Sequence, residues 1–167
     1  DNQRIPSDEE IAAAESLVNY KDILLRPEDH SVKLAKAGMS IDLGGIAKGY
    51  AVDEVRAIFA KHHIENGLIN LGASSMYALG SNAKGGPWRI GIKHPRNDDK
   101  DTYLGIVAVS NENISTSGDY ERFFEENGVR YHHIFDPKTG RPARSGVMSD
   151  SVLVDSSIEH GGMLGDM

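Results

Sequence analysis

Between Ser117 and Pro142 the sequence SGDYERFFEENGVRYHHIFDPKTGRP gathers acids, bases, aromatics and turn formers more densely than any other stretch of the chain. Ser117, Gly118, Asp119, Tyr120 and Arg122 lead in. Asn127-Gly128 is a strong hairpin signal, and Tyr131, His132, His133, Asp136, Lys138 and Arg141 follow it. Histidine titrates near neutral pH and serves as a general acid or base, and an ordinary hairpin does not need two of them against an aspartate. Alternation along a strand puts Tyr131 and His133 on one face and His132 and Ile134 on the other, so one histidine can face a pocket while its neighbour faces elsewhere. The plainer alternative is that Asp136 only caps the turn Asp136-Pro137-Lys138-Thr139-Gly140 and Arg141 is a surface charge.

A second stretch, DLGGIAKGYAVD from Asp42 to Asp53, has the composition of an anion site. A strand reaching Asp42 is turned by Gly44 and Gly45 into a helix with Ala51, Val55, Ile58 and Phe59 on one face. Glycines there let a ligand approach the backbone, and a helix start offers free N–H groups to an anion. Lys48 adds a point charge for a phosphate. The spacing is neither a Walker A loop nor GxGxxG, and the alternative is a tight turn with a solvated lysine. Asn70 and Ser74, at strand ends, either line a site or are ordinary polar termini. Lys61-His62-His63 complements a helix C-terminus and is not read as a metal site.

These residues need a scaffold. The chain has 167 residues, enough for one domain with a real core and too few for two ordinary ones. With 39% hydrophobic and 26% charged residues it belongs with folded globular chains. A net charge of -7 argues against a broad nucleic-acid surface. The absence of cysteine excludes disulfides, thiolate catalysis and Cys-ligated metals. No apolar run is long enough to span a bilayer, and DNQRIPSDEE has no leader pattern, as expected of a cytoplasmic protein or of an exported one that has lost its leader.

Ser7 and Glu10 predict a capping box for a helix running to about Asn19. Short strands are expected at Leu24-Leu25, Val32-Leu34 and Met39-Ile41, then at Gly67-Leu71, Met76-Gly80 and Trp88-Lys93. Leu104-Ser110 reads as a central strand. His94, Arg96 and the charges from Asn97 to Asp101 read as a solvated turn. Glu121-Glu126 and Val129-Phe135 form the hairpin, Ser149-Val154 is the last strand, and the Gly-rich tail has no clear pattern. The fold class is α+β, a mostly antiparallel sheet with at least two helices.

DLGGIAKGYAVD, LINLGASS, SGDYERFF and YHHIFDPKTGRP, in that order and spacing, resemble the ApbE family of FAD:protein FMN transferases, or flavin-trafficking proteins. The likeness runs to about Val154 and identifies the chain as the C-terminal portion of such a protein, a partial single domain over 1–167 with an ApbE-like, T-fold-like core that lacks the family's N-terminal part. The resemblance implies a magnesium-dependent reaction in which FAD is split at its diphosphate. FMN passes to a Ser or Thr hydroxyl of an acceptor flavoprotein and AMP leaves; some members hydrolyse FAD instead. It implies that Gly44, Gly45 and Lys48 hold the diphosphate region and that the Gly45 backbone carbonyl ligates the metal. His133 would activate the acceptor hydroxyl, with Asp136 orienting it or a water. Ser117, Gly118 and Asp119 would line the flavin site beside Asn70, supported by Tyr120 and Arg122. It further implies an extracytoplasmic protein, lipid-anchored in its precursor, with no nucleic-acid partner.

Two departures stand out. Gly72-Ala73-Ser74 replaces the family's Gly-Gly-Asn. Ser156 to Met167 is atypical, with His160-Gly161-Gly162 where the family carries metal-binding Asp and Thr residues; Asp166 is expected off the matching position. The competing expectations are a non-catalytic flavin-binding module and a plain α+β interaction domain.

Overall fold

A computed structural model describes residues 4–97, 99 and 102–167. Asp98, Lys100 and Asp101, part of the expected solvated turn, lie outside the described residues. Helix α1 (Asp8–Glu15) begins with the expected capping box: Ser7 Oγ accepts the Glu10 N–H and Glu10 accepts the Ser7 N–H. It ends four residues before Asn19, because Leu17 and Val18 donate to carbonyls three residues back and Asn19 caps a separate 3-10 turn at Tyr20–Asp22. Strands β1 (Ile23–Arg26) and β2 (Ser31–Leu34) pair as a small antiparallel hairpin.

The strand expected at Met39-Ile41 does not form. Gly38, in the left-handed region at φ 88°, precedes it, and Asp42 folds its carboxylate back onto the Gly44 N–H at 2.6 Å. Helix α2 (Ala47–Lys61) then runs as predicted, ending at His62.

The principal sheet is antiparallel with strand order β12-β7-β4-β3, formed by β3 (Gly67–Leu71), β4 (Ser75–Leu79), β7 (Glu112–Gly118) and β12 (Ser149–Asp155). Alternation gives the sheet two apolar faces. Met76, Ala78 and Ile114 pack with Ile90 and Val109 of a separate hairpin, β5 (Trp88–Lys93) and β6 (Tyr103–Val109). Ile69 and Tyr77 pack on the other side against Val52 of α2. Leu104-Ser110 is therefore not a central strand: β6 pairs only with β5, and Leu104 and Ile106 are exposed. β4 and β7 hold the centre instead, with buried serines and an asparagine among their apolar residues.

Strands β8 (Phe123–Glu126) and β9 (Val129–His132) form the predicted hairpin, with Asn127 and Gly128 at φ 52° and 74° as a tight Asn-Gly turn requires. The return strand does not continue to Phe135. The His133 N–H donates to the Arg122 carbonyl and the Ile134 N–H to His132 Nδ1, which ends the ladder. β10 (Phe135–Asp136) then pairs with β11 (Arg141–Pro142). The tail expected to lack pattern forms helix α3 (Gly161–Asp166), in which Gly161, Gly162 and Gly165 are buried.

Candidate functional site

At the start of α2 the Gly44-Gly45 turn leads into a helix whose N-cap residue, Ile46, makes no side-chain cap. The cap comes from elsewhere. Asp166, at the end of α3, accepts the Gly49 N–H with one carboxylate oxygen and the Ser75 hydroxyl with the other, both at 2.6 Å. Asp166 is thus drawn to the α2 N-terminus and not left in a loose tail. The enabling contact is backbone on backbone: a Cβ on Gly49 would overlap the Gly162 carbonyl, and one on Gly162 would overlap the Gly49 carbonyl. The sequence signal for this was the Gly161-Gly162 and Gly165 spacing, which permits close helix approach.

Lys48, exposed in the first turn, donates from Nζ to Ser74 Oγ at 2.6 Å, and among the described residues no acid pairs with it. Ser74 follows Gly72 and Ala73, both left-handed at φ 66° and 59°. Asn70 Oδ1 accepts the Ala73 N–H at 2.8 Å, and the Thr116 N–H donates to the Ser74 carbonyl at 2.7 Å. Asn70 therefore shapes the turn, and the turn ties Lys48 to β7, where Ser117 and Gly118 follow Thr116. Ser117 is exposed, while Gly118 packs under the Tyr120 ring, where a Cβ would clash. Beside them lies a cleft of about 360 Å³ bordered by Asn70, Ala73, Thr116, Arg89, Tyr103 and Tyr120. Arg89, Tyr103 and Thr116 were not foreseen, since strand residues of this kind carry no motif.

Asp119, expected to line the site, is 8% exposed, and both its oxygens accept from Arg96 at 2.6 Å. These hydrogen bonds hold its carboxyl below the ordinary carboxylate range, against the pull of burial and with smaller help from the Arg96 and Arg130 charges. Arg96, assigned to a solvated turn, is instead the partner of a buried acid. His94 is half-buried and accepts the Arg96 N–H. Asp119 thus fastens the β5–β6 connection to the end of β7.

In the β9–β10 segment the two histidines differ. His132 is buried, with Nε2 3.1 Å from the Ala143 carbonyl and Nδ1 accepting the Ile134 N–H. Both ring nitrogens are committed to the fold. His133 is exposed, and its Nδ1 lies 3.2 Å from the Arg122 carbonyl. A carbonyl can only accept, so Nδ1 carries a proton, and in the neutral ring Nε2 is then the nitrogen with the lone pair. The Arg122 carbonyl, not Asp136, orients this ring. Asp136 accepts the Lys138 N–H at 2.9 Å and caps its turn, bordering a hollow of about 390 Å³ with Tyr131, Thr139 and Arg144. Arg141, a surface charge in the plainer reading, is exposed and pairs with Asp8. Among the described residues no hydrogen bond or ion pair joins His133 or Asp136 to the Lys48 cluster.

Among the described residues no cluster of three or more His, Asp or Glu is placed to hold a metal, and no helix is long and apolar enough to cross a membrane. The antiparallel sheet layered between α2 and a β-hairpin defines an α+β domain. Its kinship is specific: the ApbE family profile matches residues 1–165, and the chain belongs to the ApbE family. It is 36% identical to a Treponema pallidum FAD:protein FMN transferase over 95% of this chain and 47% of that protein. A Klebsiella pneumoniae FAD:protein FMN transferase is also 36% identical, over 93% of this chain and 46% of its own length. The ApbE protein of Thermotoga maritima superposes with a TM-score of 0.81 at 38% identity, covering 98% of this chain and 51% of that one. The chain spans about half the length of the relatives it matches.

Proposed function

We propose that this chain takes part in transferring FMN from FAD to a Ser or Thr hydroxyl of an acceptor protein, with release of AMP and dependence on magnesium. The observation that carries the reading is Lys48: an exposed ammonium in the first turn of α2, following the Gly44-Gly45 turn, with a hydroxyl and, among the described residues, no carboxylate as its partner. Relatives that match nearly the whole chain and are named FAD:protein FMN transferases support it.

Phosphoryl transfer depends on charge neutralisation and positioning more than on covalent chemistry by the protein. Lys48 neutralises the diphosphate, and the Gly45 turn lets phosphate oxygens approach the backbone. Magnesium takes one or two protein carboxylates and completes its shell with substrate phosphates and water. Asp166 fits that share, since each of its oxygens accepts one hydrogen bond and has a lone pair left. The Gly45 carbonyl is the second candidate, and magnesium bound there would supply charge neutralisation. His133, an exposed imidazole held through Nδ1 by the Arg122 carbonyl, takes the proton of the acceptor hydroxyl on Nε2 in its neutral form. Asn70 and Thr116 border the cleft, Ser117 and Gly118 follow Thr116 at the end of β7 as the flavin contacts of this reading, and Asp119 holds that strand end in place.

The test incubates the chain with FAD, magnesium and an acceptor protein carrying a flavinylation site, then follows AMP release and a fluorescent acceptor band. His133→Ala abolishes the band while FAD still binds. FAD binding without AMP release would make the chain a flavin-binding module and remove the enzymatic reading.

A further inference from the structure

Ser74 stands apart from the other hydroxyls of the site. Ser75 is 2% exposed and its hydroxyl is committed to Asp166, and Thr116 shares its hydrogen bond with Ser151. Ser74 accepts from Lys48 at 2.6 Å, and its own contact to the Leu71 carbonyl is 3.5 Å, longer than an ordinary O–H···O bond. A hydroxyl oxygen has two lone pairs, so one remains for a further bond. The backbone beneath it is fixed on three sides: left-handed Gly72 and Ala73, the Asn70 bond to Ala73, and the Thr116 N–H on the Ser74 carbonyl. A left-handed non-glycine residue such as Ala73 is uncommon and clusters where a side chain must be presented in one way. The result is a half-buried nucleophilic oxygen held against the cation that the proposed function places on the FAD diphosphate.

We propose that Ser74 is itself an acceptor of FMN, so that the chain becomes covalently flavinylated at this residue in the presence of FAD and a divalent cation. The inference rests on the FMN-transfer reading above and deepens it. Ser74 Oγ forms a bond to the phosphorus of the FMN half, and the bridging P–O bond to the AMP half breaks. AMP leaves with the bonding electron pair, the hydroxyl proton passes to water, and nothing is oxidised or reduced. Phosphoryl transfer through a loose transition state asks little of a base early on. The Lys48 ammonium meanwhile stabilises charge on the oxygens around the transferred phosphorus. Pre-positioning of the two groups supplies the remaining advantage.

The experiment incubates the chain alone with FAD and magnesium, denatures it to remove non-covalent flavin, and measures in-gel fluorescence, intact mass and the modified peptide, with AMP assayed in the same tube. The expected result is a mass gain of one FMN less one water per chain, mapped to Ser74, with equal AMP. Ser74→Ala loses the adduct, Ser74→Thr keeps it at a lower rate, and Lys48→Met slows its formation at least tenfold. AMP release without an adduct, or an adduct that persists in Ser74→Ala or maps to Ser75, overturns the inference while leaving the proposed function standing. Absence of both AMP and adduct also overturns the inference, while transfer to a separate acceptor is decided by the assay that contains one.

Discussion

Asp53 and Asp166 cap each other's helices. Asp53, on α2, accepts the Gly162 and Met163 N–H groups of α3 at 2.9 and 3.1 Å. Asp166, on α3, accepts the Gly49 N–H of α2 at 2.6 Å. Each helix start would otherwise carry unsatisfied donors, so the two carboxylates lock the elements into one register. Arg56 reinforces the pair by reaching the Ser156 carbonyl at 2.7 Å and lying over the Tyr77 ring. The consequence for the site is positional: a shift of α3 withdraws Asp166 from Gly49 in the first turn of α2 and from Ser75.

Asp53→Ala should cost about 1–2 kcal/mol of folding stability, the usual range for losing a helix cap, and Asp53→Asn should cost less because an amide oxygen still accepts. Gly49→Ala should cost about 3 kcal/mol, at the upper end for overpacking, because its Cβ meets Gly162 backbone and no flexible side chain can yield. Gly45→Ala, with no heavy atom within 4 Å of the added carbon, should stay within about 0.5 kcal/mol. Urea unfolding midpoints order the variants; equal midpoints for Gly49→Ala and Gly45→Ala would refute the close helix contact.

The two adjacent histidines should separate stability from activity. His132→Ala removes a buried ring and leaves the Ile134 N–H and the Ala143 carbonyl without their partner, which should cost about 2–3 kcal/mol. His133→Ala, at an exposed position, should unfold within about 0.5 kcal/mol of the parent and yet lose FMN transfer. Paired melting curves and transfer assays decide this. Transfer that survives His133→Ala at full rate takes His133 out of the chemistry.

Much of this was legible where local rules act alone. The capping box at Ser7 and Glu10 and the Asn127-Gly128 turn each depend on neighbours a few residues apart, and both formed as read. The apolar face of α2 formed in part: Val55 and Phe59 pack toward the sheet, but they do so around Val52, which was not expected there, while Ile58 is exposed. What failed depended on partners distant in sequence. Leu104-Ser110 looked central because its residues are apolar, but position in a sheet follows from pairing, and β6 finds only β5. Arg96 looked solvated because its acid, Asp119, lies 23 residues away. Asp166 looked detached because its donors, Gly49 and Ser75, are 117 and 91 residues distant. At the site, motif reading found Lys48 and the glycine turn but not the hydroxyl each side chain would meet. The strand period also broke at His133, where Arg122 captured the ring and its N–H.

Acid should probe the Asp119 clamp. The Arg96 hydrogen bonds depress its folded carboxyl pKa, so the ionised pair stabilises the fold fully above the unfolded carboxylate value near 3.8. That contribution is lost as pH falls from there through the lower folded value. Glu10, held at about 2 by Arg4 and the Ser7 N–H, titrates in the same direction, so the measurement is a difference between parent and variant. Arg96→Met should lose about 2 kcal/mol at pH 7, as expected for a hydrogen-bonded charged pair, and the gap should narrow below about pH 4. A gap that stays constant down to pH 2 would show that Asp119 does not depend on Arg96 for its ionisation.

Lys48 gives the sharpest electrostatic expectation. Surface lysines are often neutralised by a nearby acid, and a substitution then leaves that acid unbalanced as well as removing a cation. Among the described residues the partner of Lys48 is the Ser74 hydroxyl and no carboxylate, so Lys48→Met removes one positive charge and leaves no described acid orphaned. Stability should hold within about 0.5 kcal/mol. The affinity for FAD should fall about tenfold, equivalent to about 1.4 kcal/mol, if the ammonium meets the diphosphate. Because an exposed charge is screened within about 10 Å at 0.1 M salt and about 3 Å at 1 M, the parent's FAD affinity should weaken with added salt more steeply than the variant's. Fluorescence titrations of both proteins across that range measure the two slopes. Identical slopes would place the diphosphate away from Lys48 and detach the α2 N-terminus from the nucleotide site.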